Sequence, residues 1–286
     1  MSHAAPHPGP QVEEAKKQQQ EEKEEEEEGD DDIETLDLFT EPADYYPPTP
    51  PPTTETYTLL SGRTLTLHLV GHNPLWAHHL WNGGRLIARY LEQQPALVRD
   101  RTVLELGAGA GLPSLVSGVL GARKVVVSDY PDADLVQNLW RNIGACEELL
   151  EEVAKGRVVA EGYCWGADVQ SLLVHLGEGE GEEGQRGFEV LILADLLFNH
   201  SEHGKLIETI KKTMARTVDA QALVFFTPYR PWLLDKDMAF FEGVKEAGFK
   251  VEKVLEEKMD KVMFEEDRGD EELRRTVFGY VVRWDL

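Results

Sequence analysis

Cysteine is nearly absent. Cys146 and Cys164 are the two in 286 residues, and they form neither a CxxC pair nor a framework spacing. A disulfide-stapled secreted scaffold is thereby excluded, and free, unreactive thiols in a reducing compartment are expected. No apolar run approaches the roughly 20 residues that span a bilayer, and the opening "MSHAAPHPGPQVEEAKK" lacks a charged-then-apolar secretory pattern. A cytoplasmic location without membrane contact is expected. Positive charge is scarce too, with 29 Lys and Arg against 53 Asp and Glu and a formal net charge of −24. Such a surface repels nucleic-acid phosphates and anionic lipid, which argues against direct DNA or RNA binding, and it attracts basic proteins or cationic small molecules. A metal site is not expected either: "HSEH" spaces His200 and His203 three apart, but no further ligand pattern accompanies them.

The charge is unevenly spread. Residues 1–34 carry 13 acidic side chains against Lys16, Lys17 and Lys23, hence −10, and leave −14 for the remainder. This segment, with its run "EEKEEEEEGDDD", has too little apolar surface to offset ordering entropy and reads as a disordered acidic tail. Residues 35–54, "TLDLFTEPADYYPPTPPPTT", form a proline-rich extended lead-in. The folded domain is then 55–286.

Its first element is a β-hairpin. "TYTLLSGRTLTLHLVG" alternates on either side of Ser61-Gly62 and places Leu65, Leu67 and Leu69 on one face. "PLWAHHLWNGGRLIARYLEQQP" spaces Leu75, Leu80, Leu86, Ile87 and Tyr90 as a helix does, closed by Pro95, with His78 and His79 on its surface or in its core. Strands at 102–106, 124–128, 157–161, 189–194 and 221–227 then alternate with helices near 113–120, 131–143, 168–175, 202–216 and 235–247. That order is an α/β, Rossmann-like fold with a parallel sheet and helices on both faces. "GEGEGEEGQRG", 177–187, reads as a flexible surface loop. "FKVEKVLEEKM" and "RRTVFGYVVRWDL" are two further strands whose short acidic link, "FEEDRGDEE", permits only an antiparallel pair at the sheet edge.

The chemistry gathers at "LELGAGAGLPS", where a strand runs into Gly107, Gly109 and Gly111. A dinucleotide fingerprint would place its third glycine where Leu112 stands, so the match is imperfect. Glu105 ends the apolar strand beside these glycines. A carboxylate there repels pyrophosphate and favours a ligand bearing an ammonium group. Asp129 closes "KVVVSD", 22 residues past Gly107, where an acid accepts hydrogen bonds from ribose hydroxyls. The ligand therefore keeps its sugar and lacks the phosphates. S-adenosylmethionine meets both requirements, and the sequence resembles the seven-strand methyltransferases, whose sheet ends in an antiparallel pair.

Within that class "PLWAHHLWNGG", "LELGAGAGLPSL", "SDYPDADLVQNLWRNI", "GYCWG", "LADLLFNHSEH" and "TPYRPWLLDKDMAFFE" occur in order. Together they resemble methyltransferase family 16, from about residue 36 to the end of the chain. They are most similar to its fungal members that modify the N-terminal glycine and adjacent lysine of translation elongation factor 1-alpha. The resemblance implies a protein N-methyltransferase using S-adenosyl-L-methionine, with elongation factor 1-alpha as basic protein partner; separately, a monomer is expected. It places cofactor contacts on Trp81, on Gly107, Ala108 and Gly109, on Asp129, on Trp165 and on Ala194, beside the Glu105 argued above. The family pattern carries serine at the last position, where Ala194 offers only its backbone. Trp165 follows the third strand of the sheet, where its ring face can lie against adenine. Asp195, Asn199 and His200 follow the fourth, where open α/β sheets bind ligands, and are expected to face the acceptor. Asp195 and Asn199 would hold the amine, and His200 or a water would take its proton. "TPYRPWLL" offers Tyr229 and Trp232 as a rim over a peptide or as a proline turn packed on the last strands. A nicotinamide-type small-molecule acceptor, formerly assigned to such chains, and a catalytically silent binding module are the competing readings.

Overall fold

A computed structural model describes residues 50–150, 156–177 and 186–286. The acidic tail, most of the proline-rich lead-in and most of the 177–187 loop lie outside the described residues. Strands β1 (Thr53–Thr58) and β2 (Thr64–Leu69) form the hairpin, in antiparallel register from Thr53 opposite Leu69 to Thr58 opposite Thr64. Its turn closes through Leu59 N–H to Arg63 O at 2.8 Å, with Gly62 at φ 85. Leu65, Leu67 and Leu69 are buried, as their alternation requires.

Helix α1 is Asn82–Gln93. The longer helix expected from residue 74 is not formed. Residues 74–81 are turns, Trp76 adopts φ 63, and Leu75 is half exposed. The helix starts at Asn82 because its first turn is anchored from outside: Gly83 N–H donates to Asp195 Oδ2 at 2.5 Å. A side chain at 83 is barred, since a Cβ there would lie 2.6 Å from that oxygen.

The α/β alternation follows: β3 (Thr102–Leu106), α2 (Leu112–Val119), β4 (Lys124–Asp129), α3 (Ala133–Cys146), β5 (Val158–Gly162), α4 (Gln170–Leu173), β6 (Val190–Ala194), α5 (His203–Thr213), β7 (Gln221–Phe226) and α6 (Leu234–Glu246). The helix expected over 168–175 shrinks to the single turn of α4. The chain closes with β8 (Phe249–Lys258), the short α7 (Glu271–Arg274) and β9 (Thr276–Trp284). Sheet order is β5-β4-β3-β6-β7-β9-β8, parallel from β5 to β7. The last two strands pair antiparallel, but β9 inserts between β7 and β8, so β8 is the edge strand at that end of the sheet. Composition explains the choice: β9 is "TVFGYVVRW" and mostly buried, whereas β8 is "FKVEKVLEEK" and carries charge suited to an edge.

Alternate strand residues feed two cores. Val103, Val125 and Val190 join one with the hairpin leucines, α1, α2 and α3, while Leu104, Val126 and Leu191 join another with α4, α5 and α6. The hairpin is fastened by polar groups as well. Asn142 of α3 accepts from His68 N–H at 2.7 Å and donates to His68 O and Ala110 O, and Asn138 also donates to His68 O. Among the described residues no helix is long and apolar enough to cross a membrane. Strand order reverses at β3, which has β4 on one side and β6 on the other, and the crevice at the carboxyl ends there is where such sheets take ligands.

Candidate active site

At that crevice β3 leaves the sheet through Gly107, at φ 58. A Cβ at 107 would come within 2.7 Å of Leu196 and 3.1 Å of Trp165, so both the turn and the packing demand glycine. Gly111, at φ 76, is the N-cap of α2, and Leu112, in the position a dinucleotide fold gives to glycine, starts the helix fully buried. Ala108 N–H donates to Ser128 O at 3.0 Å, tying the loop to β4.

Two carboxylates frame the loop. Asp129 accepts from Gly109 N–H at 2.6 Å and from Tyr130 N–H at 2.7 Å, and burial pushes its pKa up. Glu105 is 1% exposed and accepts from Ser114 N–H through Oε2 at 2.9 Å, whereas its Oε1 has no partner among the described residues. Burial raises its pKa to about 8, with the Ser114 hydrogen bonds opposing and Asp129 adding to the rise.

Both acids line a cavity of about 540 Å³. Gly107, Ala108 and Gly109 line it from the loop, Trp165 from beyond β5, Ala194 from the end of β6 and Trp81 from the residue before α1. Every sequence-derived cofactor residue thus borders one space. Asp195 and Asn199 border it too, and His200 does not. The imidazole of His200 instead bonds Asp237 Oδ1 through Nε2 at 2.7 Å, and His203 Nε2 is held by Leu197 O at 2.8 Å. The two histidines of "HSEH" have different partners, and among the described residues no group of His, Cys, Asp and Glu could hold a metal. Of the remaining sequence-singled residues, His79 lines this cavity beside Trp76, while Cys146 is buried with its thiol pushed up to about 11.

A second cavity of about 420 Å³ shares Trp76, Trp81, Asp195, Phe198 and Arg230 with the first and adds Thr227, Tyr229, Asp237, Phe264 and Asp267. Asp195 stands at the junction. It takes φ 55, unusual for a residue with a side chain, and is 6% exposed. One carboxylate oxygen accepts from Gly83 N–H, the other from Thr227 N–H at 2.7 Å, and burial still raises its pKa to about 7. Strained, buried and ionisable groups gather at functional sites. Tyr229 lines the second cavity, whereas Trp232 lines neither and is exposed. Sequence reasoning missed Asp237, Phe264 and Asp267. Asp237 lies within an ordinary amphipathic helix, and Phe264 and Asp267 lie in a segment that reads as a plain acidic link.

A family model described as lysine methyltransferase matches residues 61–247. The chain belongs to that lysine methyltransferase family. Members with close sequence include the protein N-terminal and lysine N-methyltransferase efm7 of Neurospora crassa, 57% identical over 88% of this chain and 89% of that protein. The protein of the same name from Schizosaccharomyces pombe is 43% identical over 87% and 95%. Among solved structures, a candidate SAM-dependent methyltransferase from Streptococcus mutans superposes with a TM-score of 0.50 at 10% identity, covering 80% of this chain and 55% of that one, which is a likeness of fold alone. As a member of the lysine methyltransferase family the protein is a methyltransferase, and the residues at the β3 crevice fit its S-adenosyl-L-methionine cofactor. The orphaned, buried Glu105 Oε1 suits an ammonium donor. Two acidic side chains beside the loop suit a ligand without pyrophosphate, and the Trp165 ring lines the same cavity.

Proposed function

We propose that this chain methylates a protein amine, namely the N-terminal glycine and adjacent lysine of translation elongation factor 1-alpha, with S-adenosyl-L-methionine in the first cavity and the acceptor in the second. The observation that carries the reading is the meeting of the two cavities at Asp195. Its rim rings Trp76 and Phe198 are 49% and 41% exposed, so the junction is open to a chain end entering from solvent. The names of the related fungal proteins support the reaction class, and the acidic surface suits a basic protein.

The cofactor supplies a methyl group on a positively charged sulfonium. The protein's residues contribute orientation, because in-line displacement with a neutral leaving group leaves little charge to stabilise. Glu105 and Asp129 would receive the cofactor's ammonium and ribose hydroxyls, with Trp81 and Trp165 lining the same cavity. The amine must present a lone pair. An α-amine with pKa near ~8 sheds its proton far more readily at neutral pH than a lysine near ~10.4. Asp195 takes that proton: it lines both cavities, and burial has brought its carboxyl to about 7. Asn199, which borders the cofactor cavity, contributes to holding the acceptor at the junction. His200 acts through Asp237 rather than on the amine.

The test incubates the protein with S-adenosyl-L-methionine and elongation factor 1-alpha bearing a free N-terminus, followed by peptide mass spectrometry. Methyl groups on the terminal glycine, lost in Asp129→Ala, are expected. An unmodified elongation factor alongside methylated nicotinamide would overturn the acceptor and leave the methyltransferase standing.

A further inference from the structure

Three rings lining the second cavity come from three separate segments: Trp81 before α1, Tyr229 after β7 and Phe264 in the β8–β9 connection. Ring centroids lie 5.0 Å apart for Trp81 and Tyr229, 5.8 Å for Trp81 and Phe264, and 6.2 Å for Tyr229 and Phe264, with planes inclined by 62°, 64° and 68°. Rings so inclined build a corner of π faces, not a stack. Asp195, Asp237 and Asp267 line the same space. Among the described residues its lining holds one basic side chain, Arg230, whose Nη2 is already committed to Phe198 O at 2.6 Å. Thr227, 6% exposed, lines it as well. A neutral heteroaromatic ligand would gain from the walls and only uncharged-donor hydrogen bonds from the carboxylates. An inorganic cation would gain from the carboxylates and little from the walls. An aliphatic ammonium uses both.

We propose that this corner is a cation–π receptacle that selects an aliphatic ammonium and holds its methylated form no more weakly than the unmodified one, with Phe264 and Asp267 as specificity-determining residues. It rests on the amine-acceptor reading above. N-methylation keeps the charge while removing N–H groups that water would otherwise solvate, so the desolvation cost of entering an aromatic corner falls as methyl groups are added. The β8–β9 connection thereby acquires a role in acceptor recognition, although it lies outside the 61–247 stretch that the family model matches.

The test uses the full chain saturated with S-adenosylhomocysteine and needs no knowledge of the acceptor. Choline and its uncharged carbon isostere are titrated by tryptophan fluorescence. Choline should bind at least roughly fivefold more tightly, and Phe264→Leu, which keeps apolar bulk and removes a π face, should cost choline about the same factor. Asp267→Asn, at an exposed position where folding is not at stake, should weaken choline by about twofold. S-adenosylhomocysteine affinity should not move in either variant. A peptide with a trimethylated N-terminus should bind at least as tightly as its unmodified twin to the wild type and lose that parity in Phe264→Leu. Equal binding of choline and isostere, or an unaltered choline affinity in Phe264→Leu, overturns the receptacle. If choline discriminates as stated while no protein amine is methylated, the receptacle stands and the acceptor reading falls. If protein amines are methylated and choline fails to discriminate, the reverse holds.

Discussion

Replacing Glu105 by glutamine should move stability and cofactor affinity in opposite directions. The glutamine carbonyl can keep the bond from Ser114 N–H, while its amide replaces the unpartnered Oε1. In the unliganded protein the carboxyl is raised from 4.5 to about 8, chiefly by burial. A carboxyl raised on folding contributes stability that is fully present below its unfolded value and is lost as pH climbs through the folded one. The wild type should therefore lose stability between about pH 4.5 and 8, and the variant should be flat over that window. By pH 8 the variant should be the more stable protein, by an amount on the order of a few kcal/mol. Cofactor binding behaves the other way. An ammonium ligand prefers ionised Glu105, so wild-type affinity should rise by up to about tenfold per pH unit below pH 8, with proton release on binding. The variant loses a charge-assisted hydrogen bond, about 1.5–3 kcal/mol, hence roughly 10- to 150-fold in affinity at pH 8 and much less at pH 6. Thermal unfolding from pH 5 to 8 and calorimetric titration in two buffers of different ionisation enthalpy measure both effects. Unchanged affinity with an unchanged pH slope would refute the assignment of Glu105 to the cofactor's ammonium.

Gly107→Ala should cost more stability than Gly109→Ala. Both incur the left-handed penalty of about 1–2 kcal/mol, but only at 107 does the new Cβ strike neighbours, at 2.7 and 3.1 Å, while at 109 the closest atom is 3.8 Å away; denaturant unfolding ranks the two. Asp195→Asn should abolish the rise of kcat through about pH 7 that a carboxylate proton acceptor produces. Because an amide must then face either Gly83 N–H or Thr227 N–H, it should also destabilise the protein by about 1–3 kcal/mol, and a pH–rate profile alongside a melting curve checks both. Asn142→Ala should destabilise by about 2–4 kcal/mol by removing the side-chain partner of His68 N–H and Ala110 O, while His68 O keeps Asn138. Cofactor affinity in the surviving folded fraction should be unchanged, and chemical denaturation with parallel S-adenosylhomocysteine binding measures the pair.

Local rules carried the reading of the amino-acid sequence a long way. Strand alternation, helical spacing and the short acidic link between the last two strands determined the α/β order and the antiparallel close. The glycine turn with Glu105 and Asp129 determined the kind of ligand, because charge and left-handed backbone act at short range. Three things were decided only by the tertiary structure. The helix expected from residue 74 starts at Asn82 because a carboxylate 112 residues away caps it, and no window of local sequence contains that partner. The pH behaviour of Glu105 and Asp195 comes from burial, which belongs to the packed molecule. The aromatic corner joins Trp81, Tyr229 and Phe264 across almost the whole domain; Trp81 and Tyr229 stand out in their motifs, but Phe264 looks like an ordinary linker residue until the sheet order brings the three together. Residue type sets what a side chain can do, and topology sets which neighbours it has to do it with.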